Sequence, residues 1–157
     1  MRRTFKNMHG LLAAFALAAI CLASSPAHAD GAGAIKSRQA VMASIGGHMR
    51  AMVAILRGSA GDPADLTLHA EGMAALAGLG DRLFPAGSGP AAGKTAALPR
   101  IWTEPDVFRA ATDLFCAETK TLAVLARAGD LAGVRRQLGV VGKTGCKACH
   151  VGFRARQ

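Results

Sequence analysis

The sequence contains no tyrosine, one tryptophan and six phenylalanines. β-Branched residues rarely occur in runs, whereas alanine and leucine are abundant. Because aromatic and β-branched residues favour strands while alanine and leucine favour helices, this composition predicts an all-α protein. The basic residues are not interleaved with aromatic ones, so the stacking on bases by which many proteins hold nucleic acids is not available. We therefore expect no nucleic-acid partner.

Acidic residues are absent from the first 29 positions, which otherwise have the three parts of a secretory signal. Basic residues come first, an apolar run spans residues 11–22, and Ala27-His28-Ala29 is a small-residue cleavage site. The apolar run is too short to cross a bilayer comfortably, and no basic stop-transfer cluster follows it. A retained membrane anchor is thus the weaker alternative. We predict that residues 1–29 are a cleaved signal peptide and that the protein is periplasmic.

The remaining segment, residues 30–157, has the length of a single domain. Loss of the signal removes three of the 19 basic residues and no acidic one, which leaves a net charge of about +6. Such a charge affects partner choice and association rate more than it affects the fold. It favours acidic partner proteins or anionic surfaces.

Apolar residues recur at three- and four-residue spacing in four stretches, which predicts four amphipathic helices. Asp62-Pro63 marks the start of the second helix, and Gly129-Asp130 separates the third from the fourth. Residues 84–99, rich in Gly, Pro and Ala, predict a long connection. Four antiparallel helices of this kind close into a bundle whose interior has room for a flat cofactor. The stripes are Ile35, Met42, Ile45, Met49, Met52 and Leu56; Leu66, Met73, Leu76 and Leu83; Phe108, Ala111, Phe115, Leu122 and Leu125; and Leu131, Val134, Leu138 and Val141.

The strongest chemical signal is Cys146-Lys147-Ala148-Cys149-His150, which follows the fourth stripe. This spacing is the attachment motif for c-type haem. On a helical turn the two sulfurs reach the two haem vinyl groups, and the adjacent imidazole comes underneath the iron. The motif predicts one covalently held haem c with its iron.

Two other interpretations of the same cysteines compete with haem attachment. A redox dithiol normally lies near a βαβ pattern, which this chain lacks. A zinc site needs a second pair of ligands, and Cys116, His48 and His69 are scattered along the chain. Haem attachment is the best-supported interpretation, and thiol chemistry stays open.

The extreme C-terminal place of the motif resembles the class II c-type cytochromes, the cytochrome c-prime family, because most other c-type cytochromes carry it near the N-terminus. Residues 35–42, 83–88 and 98–102 are also similar to segments of that family, as are residues 146–154. The resemblance covers essentially residues 33–156. It implies an antiparallel four-helix bundle with the haem near the C-terminal helix.

The resemblance also assigns roles to individual residues. It implies that Cys146 and Cys149 form the thioether links and that His150 is the proximal axial ligand of the iron. It implies that Arg38 approaches a haem propionate and that Gln39 lies near the haem edge. The position of Arg38 also predicts an anionic partner independently of the resemblance. A guanidinium in an apolar seam needs an anion unless it reaches water.

Two further positions concern the surroundings of the iron. Arg154 matches a basic residue one turn after His150 and is expected to shape the proximal environment. Met42 matches a position over the distal face, where relatives divide. In one branch a methionine there ligates the iron, and in cytochrome c-prime proper an apolar side chain only covers it. Met42 as a plain core residue is the third possibility.

The choice at Met42 decides the expected function. A His/Met iron suits electron transfer between redox partner proteins, which is the function we predict. An open distal face suits the binding of nitric oxide or carbon monoxide, the alternative. An enzyme is not expected, because the distal stripe is apolar and the nearest acid-base candidate, His48, falls on another helix face.

Two features remain outside this scheme. Cys116 is predicted to be a small buried hydrophobic residue, with an intermolecular disulfide as the alternative. Members of the family often dimerise through their first two helices, so the resemblance implies a homodimer here.

Overall fold

The computed structural model describes residues 30–156, so the predicted signal peptide lies outside the described residues. In this range the structure contains no β-strand, and β-type pairing is limited to one isolated antiparallel bridge between Ala97 and Arg154. A π-helical segment, Val141–Cys146, joins the last two α-helices. The α-helices are α1 (Gly31–Leu56), α2 (Leu66–Ala77), α3 (Arg100–Thr103), α4 (Pro105–Arg127), α5 (Leu131–Val140) and α6 (Lys147–Phe153).

Four long helical units form the bundle. α1 packs on α2, α2 packs on α4, and α4 packs on the last unit, in which α5, the π-helical segment and α6 follow one another without a break. The predicted all-α, antiparallel four-helix bundle is confirmed. None of the helices in residues 30–156 combines the length and apolar character needed to span a membrane.

The predicted helix boundaries have visible causes. The Asp62 carboxylate accepts a hydrogen bond from the Ala64 backbone at 2.8 Å and starts the 3₁₀ turn Pro63–Asp65 that leads into α2. The Asp130 carboxylate accepts one from the Gly133 backbone at 2.8 Å and starts α5. Both caps satisfy backbone donors that would otherwise be unpaired at a helix start.

The apolar stripes form two cores. The larger one is centred on Met52, Met73, Leu122 and Val134, each of which is fully buried. The smaller one lies at the other end of the bundle, around Ile101, Phe108 and Phe153.

Two predicted stripe positions are wrong. Leu131 is 49% exposed, because it is the first residue after the Asp130 cap and the buried face of α5 begins only at Gly133. Leu83 does not belong to α2, which ends at Ala77, and lies instead in the 3₁₀ turn Gly80–Leu83.

The long connection between α2 and α4 is fixed against the bundle. The Trp102 indole donates hydrogen bonds to the carbonyls of Phe84 and Pro85, at 3.1 and 3.2 Å, so the tryptophan packs against the connection. Near its end, the Leu98 backbone donates to the Phe153 carbonyl at 3.0 Å. The connection therefore reaches the end of α6 and covers one side of the bundle.

Candidate haem site

A cavity of roughly 830 Å³ lies between α1, α2, α4, α6 and the long connection. This volume is within the range of about 300 to 1,000 Å³ that is usual for ligand and cofactor sites. The cavity brings together all but one of the site residues predicted from the sequence: Arg38, Gln39, Met42, Cys149, His150 and Arg154.

The predicted residue that does not line the cavity is Cys146. It ends the π-helical segment and packs against the larger core, whereas Cys149 lies in α6 beside the smaller core. Both thiols are free and half-buried. Burial raises the pKa of Cys146, and burial together with Cys146 raises the pKa of Cys149 to about 11.

These pKa values bear on the redox-dithiol alternative. A reactive Cys-x-x-Cys pair needs one thiol with a lowered pKa, because the thiolate is the nucleophile. Cys146 and Cys149 are shifted in the opposite direction and stay protonated at neutral pH. Their surroundings disfavour thiol–disulfide exchange and are compatible with thiols that become thioethers.

His150 follows Cys149 directly in α6 and is exposed on the cavity wall. Desolvation lowers the pKa of its imidazole, and the positive charge of Arg154, one turn later, lowers it further. The neutral imidazole that results at neutral pH has a lone pair available for a metal ion.

Arg38 is 4% exposed, so the alternative in which it reaches water is wrong. Its guanidinium donates to the Leu83 carbonyl at 3.3 Å, to the Ser88 hydroxyl and carbonyl at 3.1 Å each, and to the Thr95 hydroxyl at 3.0 Å. It also lies over the Phe84 ring, 4.7 Å from the centroid. All of these acceptors are neutral and belong to the long connection.

The described residues that line the cavity include three cations, Arg38, Lys94 and Arg154, and no carboxylate. Gln39 lies beside them and donates to the Lys94 carbonyl at 3.1 Å. A cofactor with two carboxylates would meet positive charge here, and no carboxylate of the described lining competes for that charge.

Met42 is on the α1 side of the cavity and is 38% exposed. Phe84, Phe108 and Phe153 lie on the wall as a chain of edge-to-face rings, with centroids 4.7 and 5.0 Å apart. His48 does not line the cavity, which agrees with its expected place on another face of α1. The lining of the cavity as a whole is therefore largely apolar.

Comparison with known proteins identifies the family. The model of the family described as Cytochrome C' matches residues 33–154. The chain belongs to the cytochrome c' family. Cytochrome c' of Pararhodospirillum photometricum is 38% identical over 117 residues, covering 74% of this chain and 91% of the relative. That of Rhodospirillum rubrum is 30% identical over 148 residues, covering 94% and 99%.

A solved structure of this family has the same architecture. It is the ferrous form of a cytochrome c prime variant from Alcaligenes xylosoxidans with bound NO, with a TM-score of 0.73 and 28% sequence identity. The similarity covers 82% of this chain and 98% of that one. Members of the cytochrome c' family carry covalently attached haem c with iron, so the cofactor predicted from the cysteine motif is confirmed.

The residues present fit this cofactor. The cavity is large and mostly apolar, the thiols are free, a neutral imidazole is on the wall, and the described lining contains cations but no carboxylate. Sequence reasoning missed Lys94, Thr95 and Phe108 as lining residues. No periodic signal marks Lys94 or Thr95, because they belong to the irregular connection.

The π-helical segment before the motif makes a close contact at Gly145. A Cβ on this glycine would lie 3.0 Å from Cδ2 and 3.5 Å from Cα of Phe115 in α4. We expect Gly145→Ala to lower the free energy of unfolding by about 1 to 3 kcal/mol, the usual range for overpacking, in urea denaturation. Gly139→Ala is the control, since its Cβ meets nothing within 4 Å. Equal effects of the two substitutions would contradict the proposed contact.

Proposed function

We propose that this member of the cytochrome c' family binds a small diatomic gas at the haem iron. Cys146 and Cys149 hold the haem through thioethers, and His150 is its proximal ligand. When bound, haem c supplies an iron that changes between ferric and ferrous states and takes an exogenous axial ligand. The observation that carries the proposal is the largely apolar lining of the cavity, which among the described residues offers no histidine or carboxylate for acid-base catalysis apart from the proposed ligand His150.

The neighbouring residues have supporting roles in this proposal. Arg38 and Gln39 lie where they meet the propionate side of the haem, with Lys94 adding a further positive charge. Burial lowers the pKa of His150 and the charge of Arg154 lowers it further, which favours the neutral imidazole that binds the iron. A nitric oxide complex of a similar protein from Alcaligenes xylosoxidans supports the choice of ligand.

Electron transfer is the second candidate, and Met42 is the observation that favours it. A thioether on the cavity wall offers a sixth ligand to the iron, and a His/Met iron has a raised reduction potential. The excess of basic residues suits acidic redox partner proteins.

The two candidates differ in the ferric optical spectrum of the haem-loaded protein. Gas binding predicts a high-spin, five-coordinate iron, and a ferrous form that takes up carbon monoxide or nitric oxide without displacing a protein ligand. Met42→Ala then accelerates carbon monoxide binding, and its stability cost stays below the about 2 to 5 kcal/mol of a buried methionine, because Met42 is 38% exposed. Met49→Ala, on the same helix but outside the cavity, is the control.

A low-spin ferric spectrum with a far-red sulfur-to-iron band would contradict gas binding as the primary function. Met42→Ala would then convert the iron to high spin while Met49→Ala would not. That result would establish Met42 as the distal ligand and electron transfer as the better proposal.

Location and assembly belong to the same proposal. The N-terminal sequence supports export to the periplasm, and an exported chain is the usual context for covalent haem attachment. We also propose a homodimer through α1 and α2, on the strength of the family resemblance. We propose that Cys116, which is half-buried in α4, only packs against its neighbours.

A further inference from the structure

Two histidines that are scattered in the sequence meet between α1 and α2. The Nδ1 atoms of His48 and His69 are 3.1 Å apart, and their ring centroids are 5.3 Å apart with an angle of 61° between the planes. Neither residue lines the haem cavity. Their sequence separation gave no reason to expect a pair, and the packing of α1 on α2 creates one.

The distance suits a shared metal ion. With metal–nitrogen bonds of about 2.0 to 2.1 Å, two nitrogens 3.1 Å apart subtend an angle of about 100° at the metal. This angle lies between the square-planar value and the tetrahedral one, so the separation of the two nitrogens suits Cu²⁺ or Zn²⁺ once the rings rotate to direct both lone pairs at the metal. Imidazole nitrogen is a preferred ligand for both ions.

Gly72 of α2 allows the His48 ring to occupy this position. A Cβ on Gly72 would lie 2.8 Å from both Cε1 and Nε2 of the ring, and 3.5 Å from Nδ1. The ring therefore lies against the α2 backbone through its far edge, while Nδ1 faces His69. A ligand held in place before the metal arrives loses less conformational entropy on binding.

The protonation states also suit a ligand pair. Desolvation lowers the pKa of His48, and the proximity of His69 lowers it further, so this ring is neutral at neutral pH. Without a metal, one Nδ1–H donates to the other Nδ1. When both rings are neutral, metal binding requires that proton to move to Nε2 of the same ring, and no net proton is released.

Water completes the coordination. Within residues 30–156 no third His, Cys, Asp or Glu joins a metal-binding group, and Glu71 on α2 is held by Arg127 at 3.0 Å. In the single chain His48 and His69 are both half-buried, so solvent reaches the pair unless the proposed dimer covers it. We propose that His48 and His69 form a two-histidine site for a divalent transition metal of the zinc and copper class, separate from the haem.

The test is calorimetric titration of the haem-loaded protein with Zn²⁺ at neutral pH. The haem-loaded form is required, because the free thiols and the imidazole of the attachment motif would bind Zn²⁺ themselves. We expect one Zn²⁺ per chain, and His48→Gln and His69→Gln to weaken binding at least about tenfold each, since even indirect changes around a metal cost that much.

A matched glycine pair tests the geometry with both imidazoles present. Gly72→Ala pushes the His48 ring away and weakens Zn²⁺ binding, whereas Gly47→Ala, whose Cβ meets nothing within 4 Å, does not. Wild-type affinity in either histidine variant overturns the proposal. Should those variants fail to fold, equal Zn²⁺ affinity in Gly72→Ala and Gly47→Ala overturns it.

Discussion

Replacing both Cys146 and Cys149 with alanine is expected to abolish covalent haem attachment completely. Acid-acetone extraction then removes all colour from the variant, while the wild-type chain stays coloured. The reason is that each thiol supplies one thioether in the proposed attachment, and Cys116 in α4 lies outside the attachment motif. The pyridine haemochrome spectrum measures the number of thioethers in each protein.

Two controls make this result specific. Each single alanine variant should keep one thioether and show an intermediate pyridine haemochrome spectrum. Cys116→Ala should retain the wild-type spectrum and the wild-type resistance to extraction. A double variant that still shows a thioether-type spectrum would mean that attachment occurs elsewhere in the chain.

Arg38→Leu is expected to lower the free energy of unfolding by about 3 kcal/mol or more, because it removes charge-assisted hydrogen bonds and strands buried acceptors in the connection. The Ser88 hydroxyl keeps its bond to the Pro85 carbonyl at 2.8 Å, but the Leu83 and Ser88 carbonyls lose their donor. Urea denaturation measures the loss. Arg50→Leu, an exposed arginine on the same helix, should change stability by no more than about 0.5 kcal/mol.

The charge of Arg38 has a separate readout. Removal of a buried cation beside the haem cavity should lower the reduction potential, since positive charge favours the ferrous state. Arg38→Lys keeps the charge but not the fork of donors, so it should preserve most of the potential while losing stability. A potential unchanged in Arg38→Leu would contradict the proposed contact with a propionate.

The helices and the haem motif were predictable because their signals are local. Three- and four-residue spacing and the caps at Asp62 and Asp130 need only neighbouring residues, and the attachment motif spans residues 146–150. Leu131 shows the limit of this approach, since the periodicity alone does not distinguish a buried position from the first exposed residue after a cap.

What the sequence could not predict depends on contacts between distant segments. Arg38 was expected to need an anion, yet its hydrogen bonds go to Leu83, Ser88 and Thr95. Ser88 and Thr95 have no helical periodicity to mark them, and the periodicity assigned Leu83 to a helix that ends at Ala77. The meeting of His48 and His69 likewise follows from how two helices pack. In both cases the partner is chosen by the packing of separate elements.

The π-helical segment also keeps one row of residues facing inward, which a uniform α-helix of the same length would not do. The inward-facing positions Val141, Gly145, Cys149 and Phe153 recur every fourth residue, while an ordinary α-helix repeats after about 3.6. The wider segment absorbs the difference in phase. Without it, the same stripe would drift around the helix before it reached the haem cavity.

The phase of the haem motif thus depends on the length of the segment more than on its composition. Residues 142–144 are exposed, so exchanging their side chains leaves the core unchanged. Inserting or deleting one residue there would turn Cys149 and His150 by about 100° relative to α5, away from the cavity. This segment should therefore tolerate substitutions but not insertions or deletions.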